Sequence, residues 1–298
     1  METRKIDMHI HTIYSDGEHT PEEIFEKVKE ANLEVFSITD HDEIEGAKKM
    51  TSREGILYIP GVELTAKTPV GREHILGYDI DLNNPTLNTT LREKKKGDIE
   101  NFILYIETLK KIFGITLPKE DIDKVLNRVG NVGRVDLSNI LRKYGYASDQ
   151  EEAFQKYLHP INEQVRKKKK GLTEEECIEL IKSAGGYVSI AHPISLNPSY
   201  KRQSLKTTYE ELRQRLLRMK QVGLDAIEIQ HIHQDNPFRE MLHTLAQELS
   251  LLESGGTDFH GENIKPGVEI GKGYHGNVAI KRLSLVDEIK EKRYKSVI

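Results

Sequence analysis

Five short apolar runs in this chain lead into histidine, aspartate or glutamate, and that recurrence limits the folds open to it. Residues 6–10 carry His9 and reach His11. Residues 35–39 lead to Asp40 and His41, residues 56–62 to Glu63, residues 187–191 to His192, and residues 251–257 to Asp258 and His260. A further run, residues 73–80, holds His74 near its start. Parallel strands deliver the residues that follow them to one edge of a sheet, and closing the sheet into a barrel makes that edge a single face. His9 and His11 stand two apart, which in a strand puts both side chains on one face, and Asp258 and His260 repeat the device. Imidazole and carboxylate together suit Zn, Mn or Fe. Any one of these pieces alone is a weak signal, since an isolated His-x-His occurs in many unrelated settings. The case rests on their conjunction.

Between the apolar runs the chain reads as helices. Thr20-Pro21-Glu22-Glu23 has the form of a helix start, with Thr as N-cap, Pro at the first position and Glu at the third. Ile24, Val28 and Ala31 follow on one face. Leu172-Thr173-Glu174-Glu175-Glu176 repeats the capping pattern, and Cys177 is expected to be a small buried residue on that helix. This β-α-β-β rhythm predicts a mostly parallel sheet. Residues 85–171 differ: they read as helices, with Ile99, Phe102, Ile103, Ile106 and Leu109 forming a stripe of period 3.6. The domain reading is therefore a discontinuous α/β barrel, residues 1–84 and 172–298, with a helical insertion at 85–171. The stretch is rich in lysine at Lys94–Lys96, and the Arg166–Lys170 run reads chiefly as a solvated linker with some capacity to guide a polyanion.

Composition excludes several classes. A net charge of −4 gives no global argument for nucleic-acid binding. The single cysteine rules out an intrachain disulfide and fits the cytoplasm. The first residues lack the apolar stretch of a secretory signal, and no run nears the roughly 20 apolar residues of a membrane span. No obligatory protein partner is implied.

Asp7-Met8-His9-Ile10-His11-Thr12 with Ser15-Asp16-Gly17 resembles the first motif of the PHP (polymerase and histidinol phosphatase) family. Thr39-Asp40-His41-Asp42 resembles its second. Pro60-Gly61-Val62-Glu63, His74-Ile75-Leu76-Gly77-Tyr78, Ala191-His192-Pro193 and Gly256-Thr257-Asp258-Phe259-His260-Gly261 are similar to later ones, in order along the whole chain. The resemblance implies a distorted seven-stranded (β/α) barrel holding two or three divalent ions (Mn, Fe or Zn). By position, one ion would take His9, His11, Glu63 and Asp258. A second would share Glu63 and add His74 and His192. A third would take Asp16, His41 and His260, where the Asp16 oxygen replaces a histidine of some relatives and tilts the site toward Mn or Fe.

Within the family the chain is most similar to a stand-alone bacterial branch acting on nucleoside 3′,5′-bisphosphates and on 5′ ends of short RNA. The implied substrate contacts are Asp16, His41, Arg134 and Val135, with Gly133-Arg134 matching an element of the insertion. Two places in the insertion depart from that branch. Asp136 stands where histidine is frequent, and Asp98, Asn101 and Phe102 stand where arginines are frequent.

The reaction implied is metal-assisted hydrolysis of a phosphomonoester in a small phosphorylated nucleotide or short RNA. Asp40 and His260 are the candidate catalytic residues, Asp40 more as an orienting group than as a base, and His260 as one possible proton donor to the leaving oxygen. His231, His233 and Glu228 are expected around the ligands rather than among them. Competing readings are histidinol-phosphate hydrolysis, a metal-dependent amidohydrolase, and a non-catalytic metal-binding module.

Overall fold

The computed structural model describes residues 5–68, 71–166, 171–196 and 205–295. The lysines of the 167–170 run lie outside the described residues. The chain divides into two compact units, Met1–Asn88 with Leu172–Ile298, and Thr89–Gly171.

The first unit is mixed α/β. Strands β1 (Lys5–Ile10), β2 (Leu33–Ile38) and β3 (Leu57–Tyr58) form a parallel three-stranded sheet. Strands β4 (Gly61–Thr68), β5 (Gly71–Tyr78), β6 (Tyr187–Ile190), β7 (Ala226–Gln230) and β8 (Leu252–Gly255) form a five-stranded sheet in that order. A third, antiparallel pair, β9 (Val268–Glu269) and β10 (Gly273–Tyr274), lies beyond the run expected to be the last strand. The hydrogen bonding thus draws open sheets rather than one closed seven-stranded ring. Isolated parallel bridges join the two larger sheets at both margins, Ile10 to Phe259 and His41 to Glu63.

Two strand readings change. Residues 56–62 are not one strand: β3 ends and β4 begins after Pro60, whose nitrogen has no hydrogen to donate to a ladder. Glu63 therefore sits near the start of β4, not past the end of β3. Gly61 makes this possible, since a Cβ there would lie 2.4 Å from Ser37 Oγ and 3.0 Å from the Ile38 carbonyl. Strand β5 runs antiparallel to both neighbours. Only two residues separate Thr68 from Gly71, too few for a crossover. This reversal brings His74, from the first half of β5, opposite Thr65 on β4.

The helices cover these sheets. Helix α1 (Pro21–Glu30) has the full capping box: the Thr20 side chain accepts from Glu23 N, and Glu23 Oε2 accepts from Thr20 N at 2.8 Å. It buries Ile24, Phe25 and Val28. Phe25 and Phe36 join Met8, Ile10 and Ile38 in one hydrophobic core. Each phenylalanine contributes roughly 1.5–3 kcal/mol through burial. The short α2 (Glu45–Lys48) follows the His41 loop. After the second unit come α8 (Glu174–Ser183), capped by Thr173 and Glu176 and burying Cys177, then α9 (Leu205–Gln221), α10 (Asn236–Glu248) and α11 (Ser284–Lys295).

The second unit is helical. Helix α3 (Pro85–Phe113) enters it, followed by α4 (Lys119–Asn127), α5 (Arg134–Lys143), α6 (Gln150–Ala153), a π-helical turn at Phe154–Leu158 and α7 (His159–Arg166). Its core includes Phe102, Tyr105, Leu109, Leu137, Leu141, Leu158 and Ile161. The stripe on α3 differs from expectation in part: Tyr105 is buried, Ile103 is 41% exposed and Ile99 is only half-buried. Residues 102, 105 and 109 share the i, i+3, i+7 face, and the Tyr105 hydroxyl donates to Asn162 Oδ1. Arg134 and Val135 open α5, with Arg134 over the Phe154 ring at 5.3 Å and Val135 exposed. Asp136 closes the turn before them, accepting from Gly133 N at 2.8 Å and pairing with Arg128 at 2.6 Å. The carboxylate that departs from the family pattern is thus built into its own helix cap.

Candidate metal centre

Glu63 is the hub. Its fully buried carboxylate has five imidazole nitrogens around it. Oε2 lies 3.2 Å from His9 Nε2, 3.1 Å from His11 Nε2 and 3.1 Å from His41 Nδ1. Oε1 lies 3.1 Å from both His74 Nδ1 and His192 Nε2. Asp258 Oδ1 approaches the same region, 3.3 Å from His11 Nε2, 3.5 Å from His9 Nε2 and 3.4 Å from His260 Nδ1. Asp16 Oδ1 faces His260 Nε2 at 3.3 Å and His11 Nδ1 at 3.5 Å.

Among the described residues, ligand-type atoms lie close enough to hold one ion in four groups. One is His9, His11, Glu63 and Asp258. Another is His11, Asp16, His41 and His260. A third is His41, Glu63 and His74, to which His192 is adjacent, 3.3 Å from His74. The fourth, Glu18, His19 and Glu262, lies apart on partly exposed side chains and is already tied up: Glu262 takes His19 at 2.6 Å and Lys27 at 2.5 Å. All nine ligand residues expected from the sequence fall within the first three groups and this adjacent histidine.

The donor set fits divalent ions. An ionised carboxylate only accepts hydrogen bonds, and a neutral imidazole carries one N–H. His9 directs Nδ1 to Glu228 Oε1 at 2.8 Å, so in its neutral form the Nε2 lone pair is the one turned to the Glu63 and Asp258 oxygens. His260 directs Nδ1 to the Asp258 carbonyl at 2.9 Å, which leaves its Nε2 as a lone pair too. His11 Nε2 is buried and makes no hydrogen bond. Lone pairs facing carboxylate oxygens at these separations need positive charge between them. Protons supply only part of it. Burial pushes the His9 and His11 imidazoles down, but the surrounding carboxylates overcome it and hold His9 well above its usual value and His11 at about 9. Burial instead wins at His41, driving it down to about 3. Burial pushes Glu63 up, yet the imidazoles of His41, His9 and His74 keep it well below the usual carboxylate range.

Other residues hold the ligands in place. Glu228 accepts from His9 with one oxygen and from the His192 backbone N–H at 2.5 Å with the other. His192 and Asp258 have left-handed backbones, φ +26° and +51°, a conformation kept for sites the surroundings over-determine. Asp7 accepts from Thr257 N (2.9 Å), Thr257 Oγ1 (2.6 Å), Gly271 N (2.8 Å) and His9 N (3.3 Å). It ties β1 to the loop that carries Asp258.

Asp40, expected as an orienting group more than as a base, makes contacts of that kind. Oδ1 accepts from Thr12 N and Ser15 Oγ, both at 2.7 Å, and Oδ2 from Thr12 Oγ1 at 2.6 Å. With both oxygens so engaged, Asp40 clamps the loop bearing Asp16. Asp42 grips β4 on the other side of His41, accepting from Thr65 N at 2.9 Å and Thr65 Oγ1 at 2.6 Å. Asp40→Asn would turn an amide NH2 toward these donors. The expected result is a tenfold to hundredfold loss of activity, on the order of that for other groups that orient metal ligands, with lowered metal content by elemental analysis. Unchanged metal and turnover would refute the clamp. The His260 tautomer likewise argues against that residue as the proton donor.

Sequence reading placed Glu228 and His231 around the ligands, and His231 Nε2 does lie 3.3 Å from Asp258 Oδ2. It missed Lys265, whose Nζ lies 2.5 Å from the same oxygen. A lone lysine in a loop carries no periodic or motif signal. Arg134 and Val135 belong to the second unit.

The model of the PHP domain matches residues 7–250. The chain is 30% identical over 277 residues to the 5′-3′ exoribonuclease Rnm of Escherichia coli, covering 89% of this chain and 88% of the relative. It is 27% identical over 260 residues to the 3′,5′-nucleoside bisphosphate phosphatase of Chromobacterium violaceum, covering 86% and 87%. Among solved structures, a protein of Bifidobacterium adolescentis assigned as a metal-dependent phosphoesterase superposes with a TM-score of 0.68 at 25% identity, covering 97% of this chain and 95% of its own. One of Chromobacterium violaceum, described as an amidohydrolase with bound sulfate, has a TM-score of 0.69 at 25% identity and 90% coverage of each chain.

Proposed function

This chain belongs to the PHP domain family and is a metal-dependent phosphoesterase, and we propose that it cleaves the 3′-O–phosphorus side of 5′-phosphorylated nucleotides, as nucleoside 3′,5′-bisphosphates or short 5′-phosphorylated RNA. The observation that carries this reading is the Glu63 hub, with imidazoles and carboxylates converging from both sheets. The relatives' two names describe related chemistry. A bisphosphate phosphatase and an exonuclease working from the 5′ end can both attack a phosphorus esterified at the 3′ oxygen of a terminal nucleotide. The bridges Ile10–Phe259 and His41–Glu63 support a distorted barrel whose ligands share a face.

The three ligand groups suit two or three ions, with Mn, Fe or Zn the candidates for a His and carboxylate set. Once bound, such ions acidify a water and offset charge on phosphoryl oxygens. The protein's own part is preorganisation. Glu228 and the Asp258 carbonyl fix the tautomers of His9 and His260 so that each presents Nε2 inward. Glu63 is placed to be shared between groups. Asp40 and Asp42 hold His41 and Asp16 at the rim, where Asp16, 52% exposed, and His41 are also the candidate substrate contacts. Arg134 and Val135 remain candidate substrate contacts.

The test is a substrate panel with Mn-loaded protein: adenosine 3′,5′-bisphosphate, a 5′-phosphorylated trinucleotide, histidinol phosphate and a simple amide. Phosphate or 5′-nucleotide release from the first two should exceed that from the others by at least about a hundredfold. Turnover of the amide alone, or of none of the phosphate esters, would refute the proposal. No helix among the described residues is long and apolar enough to cross a membrane.

A further inference from the structure

We propose that Lys265 binds the phosphoryl group undergoing hydrolysis, acting as the fixed cation beside the metal ligands; the inference rests on the phosphoesterase reading above and names a substrate contact within it. Lys265 follows His260 on the loop leading to β9, and its backbone is held on both sides. Its N–H donates to the Gly261 carbonyl at 2.9 Å, and its own carbonyl accepts from Val268 N at 3.1 Å. The side chain turns back to Asp258, donating to the carbonyl oxygen at 3.0 Å and to Oδ2 at 2.5 Å.

Three features point to a substrate role. The first is how Asp258 is divided. Oδ1 faces His9, His11 and His260, while Oδ2 faces His231 and Lys265. The ammonium is therefore one carboxylate away from the ligand group. The second is donor count. An ammonium has three hydrogens; Asp258 takes two, and the third has no acceptor among the described residues, on a side chain that is 23% exposed. The third is charge. Asp16, Glu63 and Asp258 bring three carboxylates to the site, and a phosphate ester arrives with further negative charge. Among the described residues, Lys265 is the only lysine or arginine paired with any of these three carboxylates. Lysine suits the task because its ammonium is a compact charge whose free N–H can reach a phosphoryl oxygen without leaving Asp258.

An ordinary ion pair that merely supports Asp258 would show the same contacts, so the test must separate the two. Inorganic phosphate is titrated calorimetrically into Mn-loaded wild type, Lys265→Met and Lys265→Arg. Metal content is measured on the same samples, and affinities are expressed per loaded site. Lys265→Met should keep its metal and bind phosphate at least about tenfold more weakly, with Lys265→Arg recovering part of the loss. Adenosine 3′,5′-bisphosphate turnover should show a fall in kcat/KM of similar size. Phosphate affinity unchanged in Lys265→Met, with or without metal loss, overturns the inference, as does absence of phosphate binding by the loaded wild type. The two readings fail separately. A wild type that cleaves no phosphate ester but binds phosphate in a Lys265-dependent way sinks the activity and keeps the contact.

Discussion

Glu63→Gln is expected to abolish phosphoesterase turnover, by on the order of a thousandfold or more, while the protein still folds. Glutamine has the same shape but only one acceptor oxygen, and its amide NH2 would face ring nitrogens at the 3.1–3.2 Å separations now spanned by the carboxylate. Its two N–H groups can donate to at most two of the five imidazole nitrogens, and the unchanged side-chain shape keeps the core packed. The same donation occupies the lone pairs that would hold ions, and the bridging charge is gone. Elemental analysis should therefore show metal content falling together with kcat. Circular dichroism should stay that of the wild type. The metal-free protein offers an independent readout. Glu63 is one of the carboxylates that hold His11 at about 9. Removing a negative charge disfavours the imidazolium, so the His11 titration followed by NMR should move down. Full metal retention by Glu63→Gln would show that the hub is dispensable.

The ligands themselves were legible in the chain because their spacing is local. His9-x-His11 and Asp258-x-His260 announce themselves through the two-residue period of a strand, and short apolar runs before His41 and His192 mark strand ends. Glu63 and His74 were legible as residues but not as places. Pro60 splits a run that reads as one strand, and the short Thr68–Gly71 connection reverses β5. A pattern of apolar residues records neither event. The supports were less visible still. Asp7 and Asp40 sit inside motifs, yet their partners Thr257, Gly271, Thr12 and Ser15 are set by tertiary contact. Lys265 lies in a loop, where side-chain direction follows from the turn that Gly261 and Val268 close around it. The closure of the sheets was overstated for a related reason. Strand rhythm indicates parallel neighbours, but whether a margin forms a ladder or a single bridge depends on the few residues at Ile10–Phe259 and His41–Glu63.

Gly256→Ala is expected to destabilise the first unit by about 3 kcal/mol, at the upper end for inserting a single carbon into a packed interior. The added Cβ would lie 2.4 Å from both His9 N and His9 Cβ and 2.8 Å from Asp7 Oδ1. Neither side can yield cheaply. His9 N donates to Asp7, Asp7 is bound to Thr257 and Gly271, and Gly256 N donates to the Gln230 carbonyl at 2.9 Å. Relief would have to move β1 or the loop after β8, and those two segments carry His9 and Asp258, which face each other in the first ligand group. Metal affinity should fall along with stability. Gly97 provides the contrast. It lies within α3, and a Cβ there meets nothing within 4 Å. Gly97→Ala should stabilise the second unit by roughly 0.5–1 kcal/mol through helix propensity alone. Urea unfolding of the two variants against wild type checks both signs. If Gly256→Ala unfolds at the wild-type midpoint with its metal intact, the close approach of β1 to the Asp258 loop does not hold the site together.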